Sequence, residues 1–327
     1  VNERSANDLL TKIELSRNMY LNGNYIVTSS YNNFTIKKRA LRINEELKAD
    51  FPDSIDLKIS NRCSIGCKYC HENSIPTGDI FDFDKTTKIL SQLPEVPIEI
   101  AIGGGDVFES PVETLKLIDW LNKRKNKPRI TINFADFYRS WKNQRAIQAI
   151  INGVEALGVS IENLDNKVIE YGHIRRASDV GDSYVCIGRR QVYHIILGIF
   201  PPEQIFTLYE KGVANILILG YKQWGRAKNN PLPLEKIKET RGVFKEILAD
   251  NYKKGHDTVF GFDNLALEQL DLRSLLPEEV LEQVYLGDEG SCSMYIDAVK
   301  GEFARTSRDP KRVSWDSIGL IDFFKQL

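Results

Sequence analysis

The sequence predicts an α/β fold built on a parallel sheet. Three observations lead there. Between residues 54 and 221, short β-branched runs alternate with amphipathic stretches of helical period, the pattern of strands joined by crossover helices. Several of the helical stretches carry their own start and stop signals, such as "SPVETLKLIDWLNKRK" (110–125) and "PPEQIFTLYEKG" (201–212). A chain of 327 residues, 42% hydrophobic and 27% charged, has the length and make-up for one large core. Alternation alone fits a doubly wound sheet as well as a complete or partial barrel.

Residues 1–50 read as an N-terminal appendage. "NDLLTKIELSRNMYL" has helical periodicity with Asn7 or Asp8 as cap, and "YIVTSSYNNFTIKK" reads as a hairpin around its Asn-Asn centre. The alternating core, residues 51–230, opens with the strand "SIDLKIS" (54–60). After a cysteine-bearing loop come a helix (82–93) and the strand "PIEIAIGG" (97–104). The helix at 110–125 has Ser110 at the N-cap, Pro111 at the first helical position and Glu113 at the capping-box position. "RITINF" (129–134) is a strand, and the helix at 140–153 stops at Gly153. A strand (156–162), a short helix (163–172), the strand "QVYHIILGIF" (191–200), a helix opening on proline (201–212) and the strand "ANILILGY" (214–221) complete six strands.

Residues 231–327 read as an extension packing on that core. They comprise a long helix (232–255), a seventh strand "TVFGFD" (258–263) and a helix (276–285). Two short strands then turn near Lys300-Gly301, and an amphipathic tail helix is capped by Ser314. The net charge of −1 gives no electrostatic argument for a nucleic-acid partner. No apolar run approaches the roughly 20 residues of a membrane span, and "VNERSANDLL" lacks a signal-peptide core. Five cysteines in this length do not make a disulfide framework, which points to a reducing, cytoplasmic setting.

Three of the five, Cys63, Cys67 and Cys70, stand in "CSIGCKYC" at C-x3-C-x2-C spacing. Thiolates are soft ligands for zinc or for iron–sulfur clusters. A structural zinc ion wants four closed ligands, and here a fourth would have to come from Cys186 or Cys292, more than a hundred residues on. A four-iron cluster on three cysteines instead leaves one iron open to a small molecule. The loop follows a strand directly, where ligands gather in barrel-type folds. Spacing and position favour the cluster over zinc.

With Tyr69 at the aromatic place of C-x3-C-x-aromatic-C, residues 54–222 resemble the radical S-adenosylmethionine (radical SAM) superfamily. The resemblance implies a partial (β/α)6 TIM-like barrel with N- and C-terminal appendages. It implies a [4Fe-4S] cluster on Cys63, Cys67 and Cys70 that binds S-adenosylmethionine. Reductive cleavage would give a 5′-deoxyadenosyl radical that takes hydrogen from a substrate, with an electron donor such as flavodoxin or ferredoxin. "GGGDVFESP" (103–111) is similar to the family's G-G-E-P motif, which places Gly104, Gly105 and Asp106 at the methionine amino group, with Asp106 and Val107 departing from glutamate and proline. Asn133 matches the family's T-N-G asparagine near the ribose, with Phe134 in place of glycine. "GVSIENLDNKVIEYGHIRR" (158–176) resembles a V-S-I-D-G stretch followed by arginine. It implies that Ser160, and Arg175 or its equally placed neighbour Arg176, bind the cofactor. "LILGYKQWGRAKN" (217–229) resembles the segment where a hydrophobic residue, here Leu219, touches adenine before a G-R turn.

"GSCSMYIDAVKGEFARTS" (290–307) has the outline of the family's SPASM-type extension but lacks its later cysteines, so a second cluster is not expected. Cys186 and Cys292 read as small buried hydrophobes or, in the sharper alternative, as hydrogen-atom donors in catalysis. His71, His173, His194 and His256 form no metal spacing; His194 belongs to the core or faces substrate, and the position of Asp263 after the seventh strand would let it face the cavity. Three functions remain: a radical SAM enzyme acting on a peptide or protein, one acting on a small molecule or nucleotide, and a non-catalytic metal-binding module.

Overall fold

A computed structural model describes residues 19–29, 36–42, 45–125, 128–134, 144–164, 191–213, 215–254, 258–285 and 287–327. Its centre is a ten-stranded sheet with the expected alternation. Strands β4 (Ser54–Ser60), β5 (Glu99–Gly104), β6 (Arg129–Phe134), β7 (Ala156–Ile161), β8 (Gln191–Ile196) and β9 (Asn215–Leu219) follow one another across the sheet, each parallel to the next. The crossover helices are α1 (Phe83–Leu90), α2 (Pro111–Asn122), α3 (Gln144–Gly153), α4 (Pro202–Glu210) and α5 (Leu234–Lys254). The helix expected at 163–172 lies outside the described residues.

Alternation sorts the strand side chains onto two faces. Ile55, Leu57, Ile59, Ile100, Ile102, Ile130, Ile132, Leu157, Val159, Ile195, Ile216 and Ile218 are buried beneath the helices. The other face carries Asp56, Lys58, Thr131, Asn133, Ser160, His194 and Leu217, and several of these stay partly open to water. The core therefore sits between sheet and helices, and the opposite, concave face lines a polar, solvent-reached interior.

The C-terminal residues do more than pack on this barrel; they lengthen its sheet at both edges. β10 (Val259–Phe262) pairs parallel with β9, and β11 (Ser293–Asp297) pairs parallel with β4 on the far side. Phe260 and Phe262 meet Phe244 of α5 edge-on, with centroids 5.3 and 5.1 Å away. β12 (Glu302–Ala304) and β13 (Val313–Ser314) extend beyond β11. The order runs β10-β9-β8-β7-β6-β5-β4-β11-β12-β13, and among the described residues no ladder joins β10 to β13, so the barrel is partial.

Two local expectations change. Ser314 pairs with Glu302 in β13, and the tail helix α8 (Leu320–Phe324) starts only after Gly319. Two short helices, α6 (Asn264–Gln269) and α7 (Glu278–Val284), bracket a 3-10 turn, Leu272–Leu275; the first of these was not expected. Ser110 does stand at the N-cap of α2, but makes no side-chain cap. Its hydroxyl accepts from Arg62 Nη1 at 3.4 Å instead.

The N-terminal segment forms a separate meander, β1 (Met19–Asn22), β2 (Tyr25–Ser29) and β3 (Ile36–Ala40), in that order. Residues 19–22 are thus strand rather than the end of a helix; residues 7–18 and the Asn-Asn centre lie outside the described residues. The meander caps the N-terminal end of the barrel through Asp53, which is 2% exposed. Tyr20 Oη (3.1 Å), Asn22 Nδ2 (2.7 Å) and Tyr25 Oη (2.6 Å) donate to its carboxylate, and Lys38 Nζ lies 3.0 Å away.

Candidate functional site

The cysteine loop begins where β4 ends, at the C-terminal rim of the sheet. It is folded back on itself by Asn61 N–H to Asp79 O (2.8 Å), Cys63 N–H to Ile75 O (2.9 Å) and Ile75 N–H to Asn61 O (3.0 Å). Cys63 is buried, Cys67 and Cys70 are half-buried, and all three are free thiols. Burial pushes the Cys63 and Cys67 thiols up.

Neighbouring segments hold this loop by its backbone. Gly105 N–H donates to Ser60 O at 2.6 Å and Asp106 N–H to Arg62 O at 2.8 Å. A Cβ on Gly104 would stand 2.4 Å from Ser60 O, and one on Gly105 2.3 Å from Arg62 O. Gly104 also adopts φ +114°, so only glycine fits that close approach. On the other side, the 3-10 turn Gly225–Asn229 presses against the loop. Arg226 donates from its backbone N to Cys70 O (2.9 Å), from Nε to Cys67 O (2.9 Å) and from Nη1 to Ser74 O (2.6 Å). A Cβ on Gly225 would lie 2.4 Å from His71 O. Glu109 accepts from Ser64 N–H at 2.9 Å. Tyr69 Oη donates to Glu162 just past β7 and also bonds Cys67.

The residues after Cys70 anchor the loop to the sheet by charge. Glu72 accepts from Lys58 of β4 (2.7 Å), and Tyr295 Oη of β11 lies 3.2 Å from it. Lys58 is also 3.2 Å from Asp297, and His71 Nε2 is 3.3 Å from Glu72. Burial opposes ionisation of Glu72, but His71 and Lys58 outweigh it and hold its carboxyl below the usual range. A lysine on the inward face of a strand needs such partners. That was the sequence signal for Lys58, Glu72, Tyr295 and Asp297, and it was missed. Arg226 was visible only as part of a G-R turn.

On the concave wall, Asn133, Ser160 and His194 come together across β6, β7 and β8. A Cβ on Gly158 would meet Asn133 Oδ1 at 2.4 Å and His194 Cε1 at 2.3 Å, so this glycine leaves room for both side chains. Ser160 lies opposite His194 in register. Desolvation lowers the His194 pKa to about 4. Leu219 ends β9, half-buried. Asp56 stands deeper on the same wall, its pKa raised by desolvation and opposed by Lys222.

Two placements differ from expectation. The Asp106 carboxylate is buried and accepts from Phe108 N–H at 3.1 Å, capping the turn Val107–Glu109. Asp263 caps α6 through Ala266 N–H (2.7 Å) and accepts from Gly220 N–H (2.9 Å). Cys292 is not brought to the site at all, which corrects its reading as a hydrogen-atom donor there. It precedes β11 at the opposite end of the sheet, 4% exposed, where Tyr25 Oη donates to its sulfur at 3.4 Å. β4 alone, seven residues long, separates it from the cysteine loop by ~20 Å at ~3.3 Å per residue. Arg175, Arg176, His173 and Cys186 lie outside the described residues.

The donor set fits an iron–sulfur cluster. Three free thiols, Cys63, Cys67 and Cys70, stand on one loop, and thiolates are the ligands of such clusters. A cluster separates its thiolates, one to each iron, whereas a structural zinc ion draws four ligands to one point.

No protein-family model and no curated protein sequence matches this chain. Solved structures do. Streptococcus suis SuiB aligns with a TM-score of 0.60 and 13% identity over 94% of this chain and 86% of its own. SuiB bound to the precursor peptide SuiA gives 0.58 and 15%, over 85% of this chain and 65% of that one. Native anSMEcpe with bound AdoMet and Cp18Cys peptide gives 0.52 and 11%, over 84% and 79%. A further SuiB structure is bound to S-adenosylmethionine, and this chain spans 66% of its length. At these identities the likeness establishes a shared fold.

Proposed function

We propose that the chain is a radical SAM enzyme that acts on a peptide. The observation that carries the reading is the loop holding Cys63, Cys67 and Cys70, free and backbone-clamped at the C-terminal rim of a partial barrel. The fold shared with proteins solved with S-adenosylmethionine supports it. In two cases the solved partner is a peptide, which favours the peptide over a small molecule.

In this reading Cys63, Cys67 and Cys70 hold a [4Fe-4S] cluster. Together with bound S-adenosylmethionine, that cluster would supply one-electron reductive chemistry that initiates hydrogen abstraction from the substrate. The chain's own residues set the stage. Arg226 and the Gly104–Gly105 backbone fix the loop that presents the thiols. Tyr69, held by Glu162, lies beside Cys67. The Gly104–Gly105 backbone would receive the ammonium group, since the buried Asp106 carboxylate caps the turn Val107–Glu109. Asn133 and Ser160 offer hydrogen bonds to a ribose, Leu219 an apolar contact to adenine, and Arg175 a carboxylate clamp. His194 and Asp56 line the concave wall below the rim, on the polar face that water reaches.

Anaerobic reconstitution with iron and sulfide, followed by S-adenosylmethionine and a strong reductant, tests this reading. The expected product is 5′-deoxyadenosine. An intact, reduced cluster that yields none would overturn it. A colourless, zinc-loaded protein indifferent to S-adenosylmethionine would support the metal-binding module instead.

A further inference from the structure

The geometry points to Asp56 as the residue that selects the substrate: it receives the ammonium or guanidinium group of a cationic side chain that has apolar neighbours in a peptide. The inference rests on the peptide reading above and names the class of peptide.

Asp56 projects from β4 into the concave interior, on the face it shares with Lys58. It stands ~13 Å below Ser60, where the cysteine loop begins, at ~3.3 Å per residue. A group held there lies beneath the rim and away from the thiols. In register its neighbours are Tyr295 on β11 and Ala101 on β5, with Thr131 next on β6. Tyr295 turns its hydroxyl to Glu72. Ala101 and Thr131 are small, and the Asp56 carboxylate is left exposed to the interior.

The other charges around it already have partners. Lys58 is held between Glu72 and Asp297. Asp263 accepts from Gly220 N–H and Ala266 N–H, and Glu289 lies 2.5 Å from Arg308 Nη2. Lys222, the cation that most offsets Asp56, donates to Ser307 Oγ at 3.1 Å. Among the described residues, Asp56 feels its charged neighbours only through space and accepts no hydrogen bond. Water reaches it through the interior, while the surrounding walls still desolvate it. Desolvation, Asp263 and Glu289 all push its pKa up. A cation brought against the carboxylate would reverse that push and stabilise the charged form.

The far wall is apolar. Val192 and Ile196 of β8, Leu217 of β9 and Val259 of β10 alternate with core-facing residues, so they point inward. Each is half-buried and stands outside the core beneath the helices. Lys222 and Asp263 follow β9 and β10 and both act on Asp56, so the two walls face each other across the interior. Half-open aliphatic side chains in a cavity gain from an apolar cover. One wall thus takes a positive charge and the other takes hydrocarbon. A peptide offering lysine or arginine beside an aliphatic or aromatic residue satisfies both, and an anionic one is repelled.

The probe is an equimolar library of N-acetylated hexapeptide amides, offered with S-adenosylmethionine to the reconstituted chain and to the iron-free chain. The bound fraction is read by mass spectrometry. Wild type should enrich Lys- or Arg-containing peptides with apolar neighbours over Glu-containing ones by about tenfold or more. Asp56→Asn, near-isosteric at an exposed position, should fold and lose the preference. Asp56→Lys should reverse it toward Glu; should that variant fail to fold, Asp56→Asn decides. Raising salt to about 0.5 M should leave most of the preference, because charges inside a cavity are screened less than surface ones. No cationic enrichment by wild type overturns the inference, and so does equal enrichment by Asp56→Asn. A preference that vanishes at high salt places the contact on the outer surface and overturns it too. Full competition by n-butylamine at the peptide concentration would make the ligand a small amine and overturn the peptide. A reconstituted chain that makes no 5′-deoxyadenosine while Asp56 still selects cationic peptides would defeat the radical reading alone.

Discussion

The two ends of the sheet carry the same residue type under opposite conditions. At the C-terminal rim, Cys63, Cys67 and Cys70 sit on a loop whose backbone is clamped from three directions while its thiols remain free. At the N-terminal end, Cys292 is sealed beneath the β1–β3 meander, beside an aspartate with four partners. One end holds its backbone and leaves side chains available for a ligand. The other consumes its side chains in packing and ion pairing. A cysteine's chemistry is decided by which of these it joins, and the two can be perturbed separately.

The largest contrast comes from replacing rim cysteines. Cys63→Ala, Cys67→Ala and Cys70→Ala should each abolish iron retention and 5′-deoxyadenosine formation, because a three-thiolate site has no spare ligand. Iron and sulfide content after anaerobic desalting checks this. Retention of a full cluster by any one of them would break the assignment. The folded chain should survive Cys67→Ala and Cys70→Ala, since these two side chains are only half-buried.

The opposite end should respond in stability. Asp53→Ala removes the acceptor of Tyr20, Asn22 and Tyr25 and an ion-pair partner of Lys38, whose side chain is 8% exposed. Breaking one partner of a buried ion pair costs about 3–5 kcal/mol. Denaturant unfolding should show that loss, while iron uptake by the remaining folded protein is unchanged. A variant as stable as wild type would mean that the meander contributes little to holding the barrel.

The same contrast explains what the sequence did and did not disclose. Strand periods in "SIDLKIS" and "PIEIAIGG" and the spacing of "CSIGCKYC" are local, so the parallel core, the rim and the thiol triad were legible. β10 and β11 reach the sheet from opposite edges through long-range pairing, which no local pattern encodes. The Ser314 helix start failed for the same reason, since its strand partner Glu302 supplies what a local cap signal imitates. Asp106 read as a ligand group because "GGGDVFESP" resembles a G-G-E-P motif. That its carboxylate caps Phe108 depends on the chain's direction after β5.

Between the two ends, the concave wall offers a pH-dependent signal. His194 has its pKa lowered to about 4 by desolvation, from an ordinary value of 6.5. Its neutral form is therefore favoured by folding. The contribution is complete above about pH 6.5 and is lost as pH falls toward 4, with a ceiling of ~3 kcal/mol at 1.36 kcal/mol per pKa unit. His194→Gln should flatten the stability profile between those pH values and leave it unchanged at pH 8. An unaltered slope would show that the imidazole is solvated.

The smallest expected effect discriminates most between the ends. Cys292→Ala removes one buried sulfur and the acceptor of one long hydrogen bond from Tyr25, whose hydroxyl keeps its stronger 2.6 Å bond to Asp53. The cost should be about 1–2 kcal/mol, the range of a small core truncation. Cys292→Ser, which keeps a hydrogen-bonding atom, should not recover it if apolar packing is what the sulfur supplies. Neither variant should change iron content or 5′-deoxyadenosine yield, because β4 stands between residue 292 and the loop. A selective loss of turnover in a stable, iron-replete Cys292→Ala protein would show that the two ends communicate, and would restore this thiol to the chemistry from which its position removes it.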